Sequence, residues 1–179
     1  LFVNRIISPD GKTTAIYACL RHLAALAGGR SIVSIEDPVE CPVAGISQTE
    51  VIPARGLTFA RALRSALRQD PEVIAVGEIR DPETARIAAE AALTGHLVIS
   101  TVHAGSAAGV YARLSEMGVP AHLRTSSVSG ILALRLLRRT CRACRVAAVP
   151  ICASCQGRGY AGRMPLTEWL TPFPALNAA

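Results

Sequence analysis

Short apolar runs and amphipathic stretches alternate along most of this chain. Three runs are apolar with few interruptions and rich in Ile and Val, at 31–35, 73–76 and 96–103. Such runs are typical of strands that are buried on both faces of a parallel sheet. Around and between them, apolar positions recur at helical spacing and predict helices, among them 13–26, 58–68 and 81–93. The alternation of the two patterns predicts an α/β fold.

Weaker patterns predict the remaining elements. Residues 45–53 alternate loosely and predict a short antiparallel strand. A helix is expected over 106–117 and a longer helix over 121–138, whereas 165–169 predict a strand that returns to the sheet.

The predicted strands end in ionisable side chains. These residues are Glu36, Asp37 and Glu40 after the first strand, Glu78 after Gly77 in the second, and His103 in the third. In open α/β sheets, ligands bind beyond the carboxyl ends of the strands. Nucleotide hydrolases place there the acids that handle magnesium and water. The alternatives are an ordinary acidic loop and a structural histidine.

A partial phosphate-binding loop precedes the first predicted helix. It consists of Gly11, Lys12, Thr13 and Thr14, which have the order of the end of a P-loop. The full pattern requires Gly six residues before the Lys, where this chain has Ile6. Proline at position 9 removes a backbone donor, and aspartate at position 10 repels phosphate. The alternative is a surface turn before a helix.

Four cysteines near the end of the chain form two Cys-x-x-Cys pairs. They are Cys141, Cys144, Cys152 and Cys155. Four thiolates at this spacing match tetrahedral zinc, and such a closed site is structural because it leaves no position for water. Unligated thiols or a redox pair are the alternatives.

Composition and charge narrow the class of protein. The chain has 179 residues, half of them apolar, which is enough for one domain or one domain with a small appendage. Its net charge of +6 suits polyanionic partners, although a coding bias toward arginine explains it equally well. A basic stripe at 61, 64 and 68 is either a solvated face or a phosphate contact. No secretory signal or membrane span is predicted, and we expect a cytoplasmic protein.

Four motifs in this order resemble those of the secretion ATPase superfamily. They are Gly-Lys-Thr-Thr at 11–14, Ile-Glu-Asp-Pro-Val-Glu at 35–40, the stretch 67–81, and Thr-Gly-His-Leu-Val-Ile-Ser-Thr-Val-His at 94–103. The four cysteines followed by Gly-Arg-Gly-Tyr-Ala-Gly-Arg narrow the resemblance to the GspE/PilB branch. These are the hexameric motor ATPases of type II secretion and type IV pilus assembly. The resemblance implies a RecA-like, three-layer P-loop NTPase core with a small tetracysteine zinc subdomain.

The resemblance also implies roles for the strand-end residues. Glu36 resembles the general base that aligns the attacking water, with Asp37 and Glu40 in support. Gly77 and Glu78 resemble an atypical Walker B motif that holds Mg²⁺ through water.

The same family resemblance assigns the phosphate contacts and the partners. Lys12 and Thr13 resemble the Walker A lysine and hydroxyl, flanked by Gly11 and Thr14, and His103 would report on the γ-phosphate. The implied cofactors are ATP, Mg²⁺ and Zn²⁺. The implied partners are the other subunits of a homo-hexamer and the platform proteins of the inner membrane, with no nucleic acid. The expected location is therefore the cytoplasmic side of that membrane.

We expect four segments along the chain. They are an atypical or non-native segment at 1–10, the ATPase core at 11–138, the zinc subdomain at 139–164, and a return strand with a truncated tail at 165–179. The abrupt loss of the family pattern before Gly11 predicts a gene fragment or an upstream frame change. Two other functions stand beside the motor ATPase. One is a non-catalytic remnant with a degenerate P-loop, and the other is a DNA-handling RecA-like ATPase, which fits the charge but not the motifs.

Overall fold

The structure is a computed structural model that describes residues 2–4, 20–22, 24, 30–146 and 152–171. The strands are β1 (Phe2–Asn4), β2 (Ile32–Glu36), β3 (Ser47–Glu50), β4 (Val73–Val76), β5 (Leu97–Thr101), β6 (Ile131–Thr140) and β7 (Tyr160–Leu170). The helices are α1 (Phe59–Ala66), α2 (Pro82–Leu93), α3 (Ala107–Glu116), α4 (Ala121–Ser127) and α5 (Arg142–Val146). Two 3₁₀ turns, Pro53–Arg55 and Leu67–Gln69, flank α1.

The strands form one seven-stranded sheet in the order β3-β2-β4-β5-β1-β6-β7. Every neighbouring pair is parallel except β6 and β7, which form an antiparallel hairpin at one side of the sheet. The carboxyl ends of the six parallel strands therefore lie at the same edge. This edge is where the sequence predicted that the ionisable residues would meet.

Apolar side chains from both faces of the sheet form the core. One face carries Val33, Ile35, Ile74 and Val76, which pack in one cluster with residues of α1 to α4. The opposite face carries Ile32, Val73, Ala75 and Ile99, which pack against Leu20, one of the helical residues at 20–22 and 24. Helical residues thus cover both faces, and the α/β fold is confirmed.

Side-chain caps fix the start of three helices. Thr58 accepts from the backbone N–H of Arg61, and Asp81 accepts from Thr84 with Pro82 in the first turn. Ser106 accepts from Gly109 in the same way at the start of α3. Caps of this kind satisfy backbone donors that have no partner inside the helix. The predicted starts at 58 and 81 are confirmed.

Two predicted elements are wrong. Residues 121–138 are not one helix, because α4 ends at Ser127 and β6 begins at Ile131. The Leu-rich sequence suits a helix by intrinsic propensity, but pairing with β1 and β7 overrides that preference. The strand within 45–53 is parallel to β2, not antiparallel, because the ten residues between the two strands return the chain to the start of β2.

The tetracysteine lobe is inserted between the two strands of the β6–β7 hairpin. We use this name for α5 and residues 152–159, with Cys141 at the end of β6. The backbone N–H of Cys141 donates to the carbonyl of Gly159 at 2.9 Å, which closes the base of the lobe. The segment limits at 10/11, 138/139 and 164/165 remain predictions.

Candidate functional site

Strands β2 and β4 are in close contact where they end. The N–H of Gly77 donates to the carbonyl of Ile35 at 2.8 Å. A Cβ at position 77 would lie 3.2 Å from that oxygen and 3.6 Å from Cα of Glu36. Glycine therefore allows an approach that a side chain would hinder. The result is that Glu36 and Glu78 come from adjacent points on the same sheet edge.

Glu36 is a buried carboxylate held by neighbouring side chains. It is 4% exposed, and its Oε1 accepts from Ser34 Oγ at 2.5 Å and from Gln48 Nε2 at 2.9 Å. Two donors on a buried carboxylate offset part of the cost of removing it from water. They also fix the direction in which the carboxylate points.

Glu78 lies next to two cationic or protonatable groups. Its Oε2 pairs with Arg80 Nε at 2.5 Å and lies 3.8 Å from His103 Nε2, while its side chain is 16% exposed. Thr101 Oγ1 donates to the carbonyl of Gly77 at 2.7 Å, and the N–H of Ile79 donates to the carbonyl of Thr101 at 3.0 Å. The end of β5 thus supports the backbone on which Glu78 stands. His103, which is largely exposed, is brought to the same place as predicted.

The loop after β2 is anchored by two polar residues that sequence reasoning missed. Gln48 donates to the carbonyl of Cys41 at 3.2 Å and accepts from the N–H of Val43 at 2.7 Å, in addition to its bond with Glu36. Glu50 accepts from the N–H of Val39 at 3.2 Å. No local sequence signal marks either residue, because their contacts depend on the register of β3 against β2.

The remaining predicted site residues fall into two groups. Asp37 and Glu40 are exposed in the loop that follows Glu36. Gly11, Lys12, Thr13 and Thr14 lie outside the described residues, so their predicted role is neither supported nor opposed by the geometry. Strand β1 lies between β5 and β6, and its carboxyl end is at the edge that carries Glu36 and Glu78.

The basic stripe, which lies on α1 and the 3₁₀ turn that follows it, has structural partners. Arg64 Nη2 lies 2.6 Å from Glu83 Oε1, and Arg68 donates to the carbonyl of Arg64 and to Ser65 Oγ. Arg61 donates to the carbonyl of Gly56 at 3.4 Å. These contacts favour the interpretation of the stripe as a solvated helix face that ties α1 to its neighbours.

The four cysteines of the lobe come together as predicted. Their Sγ atoms all lie within 4.8 Å of one another, with 3.7 Å between Cys141 and Cys152 and 3.4 Å between Cys144 and Cys155. Tetrahedral zinc with Zn–S bonds of about 2.3 Å requires S–S separations of about 3.8 Å. The donor set and its dimensions therefore fit zinc.

The thiols of the lobe influence one another's protonation. The pKa of Cys152 is lowered to about 6, chiefly by a hydrogen bond from the backbone N–H of Cys155. The pKa of Cys144 is raised to about 12, chiefly by its hydrogen bond with Cys155 and then by the other thiols. A bound divalent metal opposes the second effect because it stabilises every thiolate that it contacts.

The fold and the strand-end acids define the class of protein: an α/β protein with a largely parallel sheet that carries two carboxylates at its carboxyl edge. The structure is similar to that of the pilus retraction motor PilT with bound ADP. The similarity covers 99% of this chain, with a TM-score of 0.76 and 30% sequence identity. The matched part is 48% of that chain.

Sequence comparison gives the family. The family described as "Type II/IV secretion system protein" matches residues 9–179, and the chain belongs to it. The chain is 45% identical over 192 residues to the putative type II secretion system protein E of Escherichia coli, covering 95% of this chain and 38% of that protein. It is 44% identical over 185 residues to the type IV pilus assembly ATPase PilB of Thermus thermophilus, covering 90% and 21% respectively. The chain thus spans about a fifth to two fifths of the length of these relatives. The predicted resemblance is confirmed.

Among the residues that the structure describes, no helix is both long and apolar enough to cross a bilayer.

Proposed function

We propose that this chain is the ATP-binding and hydrolysing part of a motor that serves type II secretion or type IV pilus assembly. One observation carries the proposal. Two carboxylates, Glu36 and Glu78, stand on adjacent strand ends that are drawn together at Gly77, at the edge where α/β proteins bind nucleotides. Names of the relatives, which include a type IV pilus assembly ATPase and a retraction motor with bound ADP, support the same function.

In this proposal the two acids have different tasks. Glu36, whose direction is fixed by Ser34 and Gln48, accepts a hydrogen bond from the attacking water and orients it. Glu78 would hold Mg²⁺, and Lys12 and Thr13, as predicted from the sequence, would contact the phosphates. Magnesium supplies charge neutralisation at the phosphate oxygens when it is bound.

His103 and Arg80 both lie close to the carboxylate of Glu78. His103 Nε2 lies 3.8 Å and Arg80 Nε 2.5 Å from the same carboxylate oxygen. A cation that binds at Glu78 would compete with both, since all three are attracted to one carboxylate. With that carboxylate occupied, His103 would be free to turn toward the γ-phosphate, which is the role that the family resemblance implies for it.

The tetracysteine lobe would hold Zn²⁺ in a structural role. All four positions of a tetrahedral metal are filled by Cys141, Cys144, Cys152 and Cys155, so no position remains for a reacting water. The assembly that we propose is a homo-hexamer on the cytoplasmic side of the inner membrane, bound to platform proteins there.

A second candidate is a non-catalytic remnant that retains the fold and partner surfaces. The sequence at Ile6, Pro9 and Asp10 favours it, since glycine and backbone donors are expected at a phosphate loop. Each charge-assisted hydrogen bond lost there costs roughly 1–3 kcal/mol of phosphate affinity. Two or three such losses would abolish useful ATP binding.

Calorimetric titration with ATP, with and without Mg²⁺, decides between the two candidates. The chain is compared with a variant in which Ile6, Pro9 and Asp10 are replaced by Gly, Gly and Ser. Magnesium-dependent binding by both, followed by hydrolysis that Glu36→Gln abolishes, is the result expected for a motor. Binding by the restored variant alone would identify a remnant, and binding by neither would refute an ATP site in this chain.

A further inference from the structure

A groove lies between the outer part of the β6–β7 hairpin and the tetracysteine lobe. We call it the arginine groove; its volume is about 580 Å³. Its polar lining consists mainly of Arg138, Ser154, Arg158, Tyr160 and Arg163, with Gly162 in its wall. The described residues that line it include no carboxylate. A pocket with three guanidinium groups and no acid is a place of concentrated positive charge.

Two of these cations face each other across the hairpin. Arg138 of β6 and Arg163 of β7 are directly opposite in the strand register, just before the irregularity between Arg138 and Thr140. Like charges in directly opposite positions destabilise an antiparallel pair. Arg158 from the lobe adds a third cation to the same groove. Three positively charged side chains thus line one groove, where an anion would interact favourably with all of them.

Two of the guanidinium groups are held in place by uncharged partners. Arg138 lies over the ring of Tyr160, with 4.5 Å between its Cζ and the ring centroid. Arg158 Nε donates to the carbonyl of Cys155 at 3.2 Å, and the backbone N–H of Arg158 donates to the same carbonyl at 3.0 Å. In the described part of the chain, the ion pairs with carboxylates involve neither Arg138 nor Arg158. Both groups thus have uncharged partners and are not neutralised by a carboxylate of the described residues.

The number of arginines favours phosphate over carboxylate. A carboxylate carries one charge, and one bidentate arginine occupies both of its oxygens. A phosphate monoester carries up to two charges near neutral pH and offers three terminal oxygens, so it can accept from three guanidinium groups together. Ser154 adds a hydroxyl donor at the same groove.

We propose that the arginine groove binds a phosphate group, either of a soluble phosphorylated compound or of a lipid head group. This site is separate from the strand-end acids, and the inference does not depend on the proposed ATPase function. Because Arg158 donates to the carbonyl of Cys155, the tetracysteine lobe positions one side of the phosphate site.

The test uses inorganic pyrophosphate as the soluble probe. The full chain with its zinc is titrated in magnesium-free buffer, and Arg158→Gln and Arg163→Gln are compared with it. The matched control is Arg142→Gln, which removes one positive charge from an exposed residue of the lobe outside the groove. We expect each groove variant to weaken pyrophosphate binding about tenfold or more and the control to change it less than about twofold. Zinc content and melting temperature are measured for each variant, and only variants that retain both are used.

A second arm separates the two sources of phosphate. Sedimentation with phosphatidylcholine vesicles is measured with and without phosphatidic acid. Pyrophosphate binding that the groove variants weaken supports a soluble ligand, whereas binding to phosphatidic acid alone, with the same dependence on Arg158, supports a head group. Equal weakening by Arg142→Gln would overturn the inference, since the effect would be one of net charge. Preferential binding of polyglutamate through the same arginines, or binding of no probe, would overturn it as well.

Discussion

The close approach at Gly77 gives the sharpest prediction for the candidate site. In Gly77→Ala, the new Cβ would lie 3.2 Å from the carbonyl oxygen of Ile35, 3.6 Å from Cα of Glu36 and 3.8 Å from Cε1 of Phe59. The nearest two atoms belong to backbone that is hydrogen-bonded within the sheet, so they cannot move aside as a flexible side chain would. The ends of β2 and β4 must therefore separate by a few tenths of an ångström.

Opposing free-energy contributions set the change in stability of Gly77→Ala. The substitution reduces the conformational freedom of the unfolded chain, and this effect stabilises the folded protein by about 0.4–1 kcal/mol. Crowding in packed structure costs about 1–3 kcal/mol, and weakening of the bond from Gly77 N–H to Ile35 costs up to about 1 kcal/mol more. The net change is a loss of about 1–2 kcal/mol, which lowers the melting temperature by about 3–6 °C for a chain of this length.

Gly105→Ala is the matched control. Gly105 is exposed, and a Cβ there would have no atom within 4 Å. Only the entropic gain remains, so the melting temperature should rise by about 1–3 °C. The two alanine variants are thus expected to shift stability in opposite directions in a thermal-unfolding assay. Any ATP affinity of the chain should fall in Gly77→Ala alone, because the two acids move apart. If Gly77→Ala is as stable as Gly105→Ala, the close approach does not require glycine and the reasoning is wrong.

Three further predictions concern the lobe and the surface. Cys155→Ser should lose stoichiometric zinc in metal analysis, since the substitution removes a buried ligand, whereas the control Cys41→Ser should retain it. A full zinc content in Cys155→Ser would refute the four-thiolate site. Zinc affinity should weaken about tenfold or more per pH unit between pH 8 and pH 6, because Cys144, with its pKa raised to about 12, must release its proton to bind the metal. A competition titration that gave a flat profile would contradict this. Arg64→Ala should change the free energy of unfolding by less than about 1 kcal/mol, since its pair with Glu83 is about half exposed on both sides; a large loss in urea unfolding would show that the pair matters more than its exposure indicates.

The positions of the strand-end residues could be predicted from the sequence, because each of them directly follows a recognisable buried strand. Once Ile32–Glu36 and Val73–Val76 are recognised as buried parallel strands, their last residues must lie at one sheet edge. The spacing of the four cysteines likewise implied a compact metal site, since two Cys-x-x-Cys turns can each present two sulfurs to one point. Both inferences depend on local pattern together with a general rule of topology.

What surrounds the acids was decided by tertiary structure. Nothing local distinguishes Gln48 from any other polar residue, yet its amide joins Glu36 to the following loop because β3 lies parallel to β2 in one particular register. The sequence over 131–138 favours a helix by propensity, and only pairing with β1 and β7 makes it a strand.

The sequence by itself thus determined the α/β class, the position of the acids at the strand ends, the clustering of the four cysteines and the family. Tertiary structure decided that a strand and not a helix follows Ser127, and which side chains support the two acids. It also decided that Arg138 and Arg163 face each other. The physical reason is range. Burial periodicity, caps and ligand spacing act over a few residues and can be read from the chain. Strand register joins residues that are farther apart, such as Ser34 with Gln48 and Arg138 with Arg163, and it depends on the packing of the whole sheet.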